Sequence, residues 1–347
     1  MKGTPMDIPS HPNNPATIED VARLAGVSIA TVSRVVNGKS PVVPATAQRV
    51  MDAVRELNYV PRAAARILAS KRTNTLGLIV PEISGEFFAP MLRGIEAAAG
   101  EAGFDLLIHT TAYKKPEMRR HTLGEHNTDG LLVFIGSVQL AELTRLHSIG
   151  FPVVFLHQTA PEGLNIPVVT VENKKGAALA VEHLIETHEC RRILYLSGPE
   201  GNEDSSWRER GYRLALEKHD IPFDPALVAP GYYSTKRAAQ TMRELLESGL
   251  TFDGIFSGDD MAAVGALSAL REAGLRVPED IKMVGFDDIP LARHLTPPLT
   301  TIHAPTEEVG RIATDLLVRL IRHETVEMEI LLPTELTIRQ SCGCKIV

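Results

Sequence analysis

Apolar residues recur at helical spacing in three short stretches near the start of the chain. Ile18, Val21, Ala22 and Ala25 mark the first stretch, Val32, Val35 and Val36 the second, and Val50, Val54 and Leu57 the third. Thr17 is placed to cap the first, with Asp20 three residues on as its capping-box partner, and Gly26 ends it. Ser28 caps the second, which stops at Asn37-Gly38, and Pro44 opens the third. Helix, tight turn, helix and bracing helix is the spacing of a helix-turn-helix unit, expected over 17–60. Residues 1–16, rich in Pro, Asn and Ser, read as a flexible tail.

From Leu76 onward the pattern changes. Short apolar runs at 76–80, 106–108, 131–135, 153–156, 193–196, 255–256 and 283–286 alternate with helical stretches such as 88–102, 174–186, 208–219 and 261–273. That alternation predicts an α/β fold, with parallel strands flanked by helices. Roughly 270 residues is long for one such sheet, so a two-lobed, doubly wound body is expected over 74–347. The first lobe is expected over about 74–172 and 303–330, and the second over about 173–302 and 331–347. In such sheets ligands sit beyond the carboxyl ends of the strands.

Composition narrows the class. Of 347 residues, 44% are hydrophobic and 23% charged, enough apolar material for a sizeable core, which excludes a disordered or collagen-like chain. Three cysteines argue against a disulfide framework and point to a reducing cytoplasm. There is no apolar run of membrane-spanning length, and the N-terminus lacks the apolar centre of a secretory signal. The net charge of −7 is unevenly spread. Residues 1–72 hold ten Lys and Arg against five Asp and Glu, a balance of +5, and the remainder carries −12. A basic head on an acidic body suits a head that meets a polyanion.

Signatures of catalysis are missing. The chain contains no P-loop, no G-x-G-x-x-G and no G-x-S-x-G, and no nucleophile–base pair stands at a recognisable spacing, so no enzyme is expected. Asp287-Asp288 looks like a carboxylate dyad, but neighbours on a strand point apart. Cys342-Gly343-Cys344 offers two thiolates where a zinc site needs four ligands, and His183 and His188, five apart around a helix end, read as structural. Neither metal nor cofactor is expected.

The stretch from Thr17 to Leu68, with the string Val27-Ser28-Ile29-Ala30-Thr31-Val32-Ser33-Arg34-Val35-Val36-Asn37-Gly38 at its centre, closely resembles the DNA-binding head of the lactose-repressor (LacI) family of bacterial regulators. The body strings FFAPMLRGIE, GDDMAAVGAL, GLRVPEDIKMVGFDD and LTTIHAP resemble that family's core, so the likeness runs from about Thr17 to about Arg339. It implies a transcriptional regulator, most simply a repressor, whose body has the fold of periplasmic sugar-binding proteins. The implied partners are a pseudo-palindromic double-stranded operator, a second copy of the chain and a small effector between the lobes, such as a sugar or sugar derivative. Another reading of the same class has a nucleobase or partner protein promoting DNA binding. A remote third is a two-lobed binding protein or enzyme with no DNA role, against which the basic head argues.

The resemblance also assigns residues. A recognition helix from Ser28 would present Ile29, Ala30 and Arg34 to base edges, with arginine suited to guanine and the two apolar side chains to thymine methyls. Thr31, Ser33 and Asn37 are short polar donors suited to phosphates, and Thr17 and Ser28 complete the expected DNA-binding set. A hinge over 61–73 would form a short helix on DNA, with Arg62 and Ala65 near the groove and Leu68 as a wedge in the minor groove. The family commonly has Asn where this chain has Arg62. The effector positions map to Phe87, Phe88, His157, Arg208, Tyr233, Asp259 and Asp287, all at or beyond predicted strand ends. Aromatic faces, one guanidinium and two carboxylates suit a polyhydroxylated molecule. Two departures fall here: Asp259 stands where Asn is frequent, and Leu156-His157 stands where the family often has Asp followed by Arg or an aromatic. His157 either bonds a ligand hydroxyl or is a satisfied histidine of the cleft lip.

Overall fold

The computed structural model describes residues 16–37, 42–59, 72–111 and 123–345. The chain divides into two compact units at Thr73/Asn74. The tail before Ala16 and the hinge positions Arg62, Ala65 and Leu68 lie outside the described residues, as does the side chain of Asn37.

The first unit is three helices, α1 (Ile18–Ala25), α2 (Ile29–Asn37) and α3 (Pro44–Glu56). Both halves of the capping box form: the Asp20 amide donates to Thr17 Oγ1 at 3.3 Å, and the Thr17 amide donates to Asp20 Oδ2 at 2.9 Å. Gly26 ends α1 at φ 64°, a left-handed conformation that glycine adopts without the steric cost a Cβ would bring. The Thr31 amide donates to Ser28 Oγ at 3.2 Å, which satisfies an otherwise orphaned donor at the start of α2. Val21, Ala22, Ala25, Val32, Val50, Ala53 and Tyr59 form the buried core of this unit.

The second unit holds two six-stranded sheets. In chain order its elements are β1 (Thr75–Val80), α4 (Phe88–Glu101), β2 (Asp105–Thr110), β3 (Gly130–Phe134), α5 (Leu140–Ser148), β4 (Val153–Leu156), β5 (Val168–Val171) and α6 (Asn173–His188). There follow β6 (Ile193–Ser197), α7 (Glu203–Lys218), β7 (Val228–Pro230), α8 (Thr235–Glu247), β8 (Gly254–Ser257), α9 (Asp260–Glu272) and β9 (Lys282–Asp287). The last are β10 (Thr300–His303), α10 (Thr306–Ile321), β11 (Glu329–Leu332) and β12 (Glu335–Thr337). One lobe's sheet runs β11-β5-β4-β3-β1-β2, all parallel. The other runs β12-β10-β9-β8-β6-β7, parallel except where β12 pairs antiparallel with β10.

Strands such as β1, β3 and β4 are buried along their whole length, as parallel strands covered on both faces must be. The chain passes between lobes after β5, after β10 and after β11. Because Glu329–Leu332 pairs with β5, the lobe boundary expected at 330/331 falls inside β11 and moves to the short link before β12. In the first lobe α4 and α10 pack closely: a Cβ on Gly94 would sit 2.0 Å from the Glu307 carbonyl oxygen. No described helix is long and apolar enough to cross a membrane.

Candidate functional site

In the three-helix unit, the face of α2 away from the core is the chemically distinctive surface. Ile29 is 47% exposed and takes no part in the core, which removes the packing role it could have had. Ala30 and Arg34 are exposed beside it, and Val32 turns inward with no exposed surface. An exposed guanidinium near two exposed apolar side chains at the start of the same helix can read a base edge. Thr31 and Ser33 are half-buried. The Thr31 hydroxyl lies 2.9 Å from Ser28 Oγ, so Ser28 and Thr31 serve the start of α2 first. Thr17 is likewise engaged, its hydroxyl donating to Asp20 Oδ2 at 2.7 Å.

In the two-lobed unit the strand ends carry the other group. Arg208, on α7, is 2% exposed and is its hub. Its Nε donates to Asn173 Oδ1 at 2.8 Å, its Nη1 to the Gly258 carbonyl and its Nη2 to Asp287 Oδ1 at 3.1 Å. The guanidinium lies over the Phe286 ring, 3.8 Å from its centroid, and 5.6 Å from that of Tyr233. Burial opposes its charge, but Asp287 and its other neighbours outweigh that and hold the guanidinium above its ordinary pKa. Burial pushes Asp287 up to about 7 and Asp259 up to about 6, with Arg208 pulling against both.

The hub continues across the cleft. Asn173 Nδ2 donates to Asp204 Oδ1 at 2.7 Å, and Asp204 Oδ2 meets His157 Nδ1 at 3.1 Å. His157 follows β4 of one lobe and Asp204 opens α7 of the other, so this pair joins the lobes. A second link, from the Thr159 amide to Glu203 Oε2 at 2.9 Å, lies beside it. The carboxylate favours the imidazole tautomer with its proton on Nδ1, leaving Nε2 as an acceptor. His157 Nε2 and Tyr233 Oη are buried and have no hydrogen-bond partner among the described residues. Buried polar atoms ordinarily find partners, so an acceptor and a hydroxyl left open mark a place where a ligand's polar groups fit. The Tyr233 ring passes so close to Gly198 that a Cβ there would lie 2.4 Å from Cζ.

Aromatic rings wall the first-lobe side. Phe87 lies 5.5 Å and Phe134 5.4 Å from the His157 ring, and Phe88, 8% exposed, packs on Phe134 at 5.3 Å. Phe87 and Asp287 also border a cavity of about 490 Å³, within the range of small-molecule sites. Backbone strain gathers at the same strand ends: His157, Tyr233 and Asp287 have φ of 56°, 55° and 108°. Such conformations cost about 1–3 kcal/mol each and persist where the surroundings enforce them.

The structure therefore brings Phe87, Phe88, His157, Arg208, Tyr233 and Asp287 to strand ends around one cleft. Asp259 has a competing duty. Its two oxygens accept from the Ala262 and Met261 amides, at 3.0 and 3.2 Å, as the N-cap of α9. Asp288 turns away from Asp287, toward His303 and Arg339, so the adjacent carboxylates share no proton. Three participants were missed from the sequence. Phe134 ends a run already read as a strand, and Asn173 and Asp204 each stand at the start of a helix after a strand, the position that marked Asp259.

Comparisons with known proteins agree with this geometry. Residues 17–62 match the profile of bacterial regulatory proteins, lacI family, and 181–342 match the periplasmic binding protein-like domain. The chain is 36% identical over 330 residues to the ribose operon repressor of Halalkalibacterium halodurans, covering 94% of this chain and 96% of that protein. Among solved structures, the lac repressor dimer bound to operator and an anti-inducer superposes with a TM-score of 0.82 at 28% identity, covering 95% of this chain and 99% of that one. The CelR–cellobiose complex does so at 0.68 and 34% identity, covering 94% and 99%. The chain belongs to the LacI family of bacterial regulatory proteins.

Proposed function

We propose that this protein is a transcriptional repressor that reads operator DNA with α2 and is controlled by a sugar bound between the lobes of its body. The observation that carries the effector half is the interlobe hub. Arg208 and Asp287 on one side and His157 with its aromatic wall on the other leave an imidazole nitrogen and a tyrosine hydroxyl open for a polyhydroxylated ligand. A ligand bonded to both sides changes the balance between lobe arrangements by its differential affinity for them. The DNA half rests on Ile29, Ala30 and Arg34 standing together on the exposed face of α2. Two copies of the chain would present two such helices to the half-sites of a pseudo-palindrome, in keeping with the similar lac repressor, which binds operator as a dimer. The chain acts by binding, in keeping with relatives that are regulators.

The test is operator selection from random duplexes, followed by a thermal-shift panel of mono- and disaccharides, sugar acids, phosphosugars and nucleobases. A saturable shift with one sugar class, and release of the selected operator by that sugar, is the expected result. A shift with nucleobases alone, or tighter operator binding with ligand, would replace the sugar-released reading by a co-repressor reading.

A further inference from the structure

Two residue pairs that sequence reading treated separately meet in space. His183 and His188 lie on the last turns of α6, and Cys342 and Cys344 follow β12. Among the described residues, their four donor atoms lie within 4.8 Å of one another. His183 Nε2 is 3.4 Å from Cys342 Sγ and 3.7 Å from Cys344 Sγ, and His188 Nε2 is 3.5 Å from Cys344 Sγ. A tetrahedral zinc ion, with Zn–N near 2.0–2.1 Å and Zn–S near 2.3 Å, separates its ligands by about 3.3–3.8 Å. The side chains already stand close to that tetrahedron.

The surroundings suit a metal better than they suit a thiol–imidazole contact. Thr187 Oγ1 lies 3.2 Å from His183 Nδ1, which orients the ring and leaves Nε2 for the centre of the cluster. The Thr300 hydroxyl donates to Cys342 Sγ at 3.1 Å, the outer-sphere bond that supports a ligating sulfur. Cys342 is fully buried, and Cys344 is half-exposed, which gives an ion a way in. The third cysteine, Cys190, belongs to the apolar core and not to the cluster.

We propose that His183, His188, Cys342 and Cys344 form a structural site for a zinc-class divalent cation. Two imidazoles and two thiolates favour zinc over magnesium or calcium. Binding converts two thiols to thiolates and releases their two protons to solvent, leaving a neutral Zn(Cys)2(His)2 centre. Because thiolates are the ligating form, metal binding is coupled to the loss of those two protons and strengthens as pH rises. The ion would clip the segment after β12 to the end of α6, whose first residue, Asn173, bonds Arg208 in the cleft. It thereby closes a loop of more than 150 residues, from His188 to Cys342.

The test uses the full chain. Zinc is measured in the purified protein, which is then stripped with a chelator under a phosphine reductant and titrated with Co2+. The expected result is one Co2+ per chain, with the visible bands of tetrahedral cobalt and a near-ultraviolet thiolate charge-transfer band, both removed by Zn2+. Cys344→Ser and His183→Gln should weaken binding by at least about 100-fold, since even outer-sphere partners of a metal are worth about 10- to 100-fold. Cys190→Ser should leave the spectrum unchanged. Circular dichroism shows whether each variant is folded, and the half-exposed Cys344 is chosen because a change at buried Cys342 would itself disturb the core. If stripping unfolds the protein, recovery with one equivalent of metal supports the site. A reduced, folded chain that gives no tetrahedral spectrum at millimolar Co2+, or one whose spectrum survives Cys344→Ser, overturns it.

Discussion

The α2 face and the interlobe cleft solve opposite problems. The side chains proposed to read DNA, Ile29, Ala30 and Arg34, are exposed on one short helix, where the turn at Gly26 and the Ser28 cap fix the start. Among the described residues of their unit none buries them, so truncating them should cost folding little. The cleft residues lie at or beyond the ends of several strands and are largely buried, and Arg208 ties Asn173, Gly258 and Asp287 together. A charge without water must be paired, and its loss is expensive. One site is therefore separable from stability and the other is not, which decides what mutations will do.

The largest effect should come from Arg208→Ala. It strands the Asp287 and Asn173 groups it satisfied and should destabilise the body by about 3 kcal/mol or more, with loss of sugar binding. Chemical denaturation of the full chain checks this, and a cost below about 1 kcal/mol would show that the hub is not the locked network the contrast requires. Arg34→Ala should leave that denaturation curve unchanged. It should reduce discrimination between selected operator and random duplex by about 1–3 kcal/mol if the contact to guanine is bidentate, measured by fluorescence anisotropy at fixed salt. Unaltered discrimination would remove its base-reading role. Thr17→Ala should cost the three-helix unit about 1 kcal/mol through the lost cap, visible as faster amide exchange over 18–25 with the body unaffected.

The smallest effect concerns pH. Asp259 and Asp287 hold their protons more tightly in the folded body, at about 6 and about 7, than the ordinary carboxylate value of 3.8. The sign follows: a folded state that binds more protons is favoured at low pH, so their contribution weakens as pH rises from about 4 to about 7 and then levels off. Asp259→Asn keeps a side-chain acceptor for the α9 cap and removes one of the two titrations. Its melting temperature relative to the unchanged chain should therefore rise between pH 5 and 7.5. A pH-independent difference would mean that the Asp259 carboxyl does not titrate in that window.

Legibility in the sequence followed the same division. The three-helix unit was readable almost residue by residue, because caps, a turn glycine and helical spacing act within a few positions. Buried strands such as β3 and β4 were readable as continuous apolar runs. The strands β10, Thr-Thr-Ile-His, and β12, only three residues long, carry no such run, and they join a sheet through neighbours distant in sequence. The position of β11 misplaced the lobe boundary for that reason, since only its pairing with β5 assigns Glu329–Leu332 to the first lobe. In the cleft, residue types at strand ends were visible, but their partners were not. Asp204 and Asn173 join the cleft network only through contacts with His157 and Arg208. The His183, His188, Cys342 and Cys344 cluster was hidden still more completely, as its halves lie more than 150 residues apart.

In the proposed function, a sugar in the cleft controls DNA binding through the body. Its most direct test is operator affinity of the full chain at fixed salt, with and without a saturating sugar that raises the melting temperature. Coupling of about 1–3 kcal/mol predicts that affinity falls by about 5- to 150-fold, with the reciprocal loss of sugar affinity on operator. A sugar that stabilises the protein at the cleft yet leaves operator affinity unchanged would contradict the account.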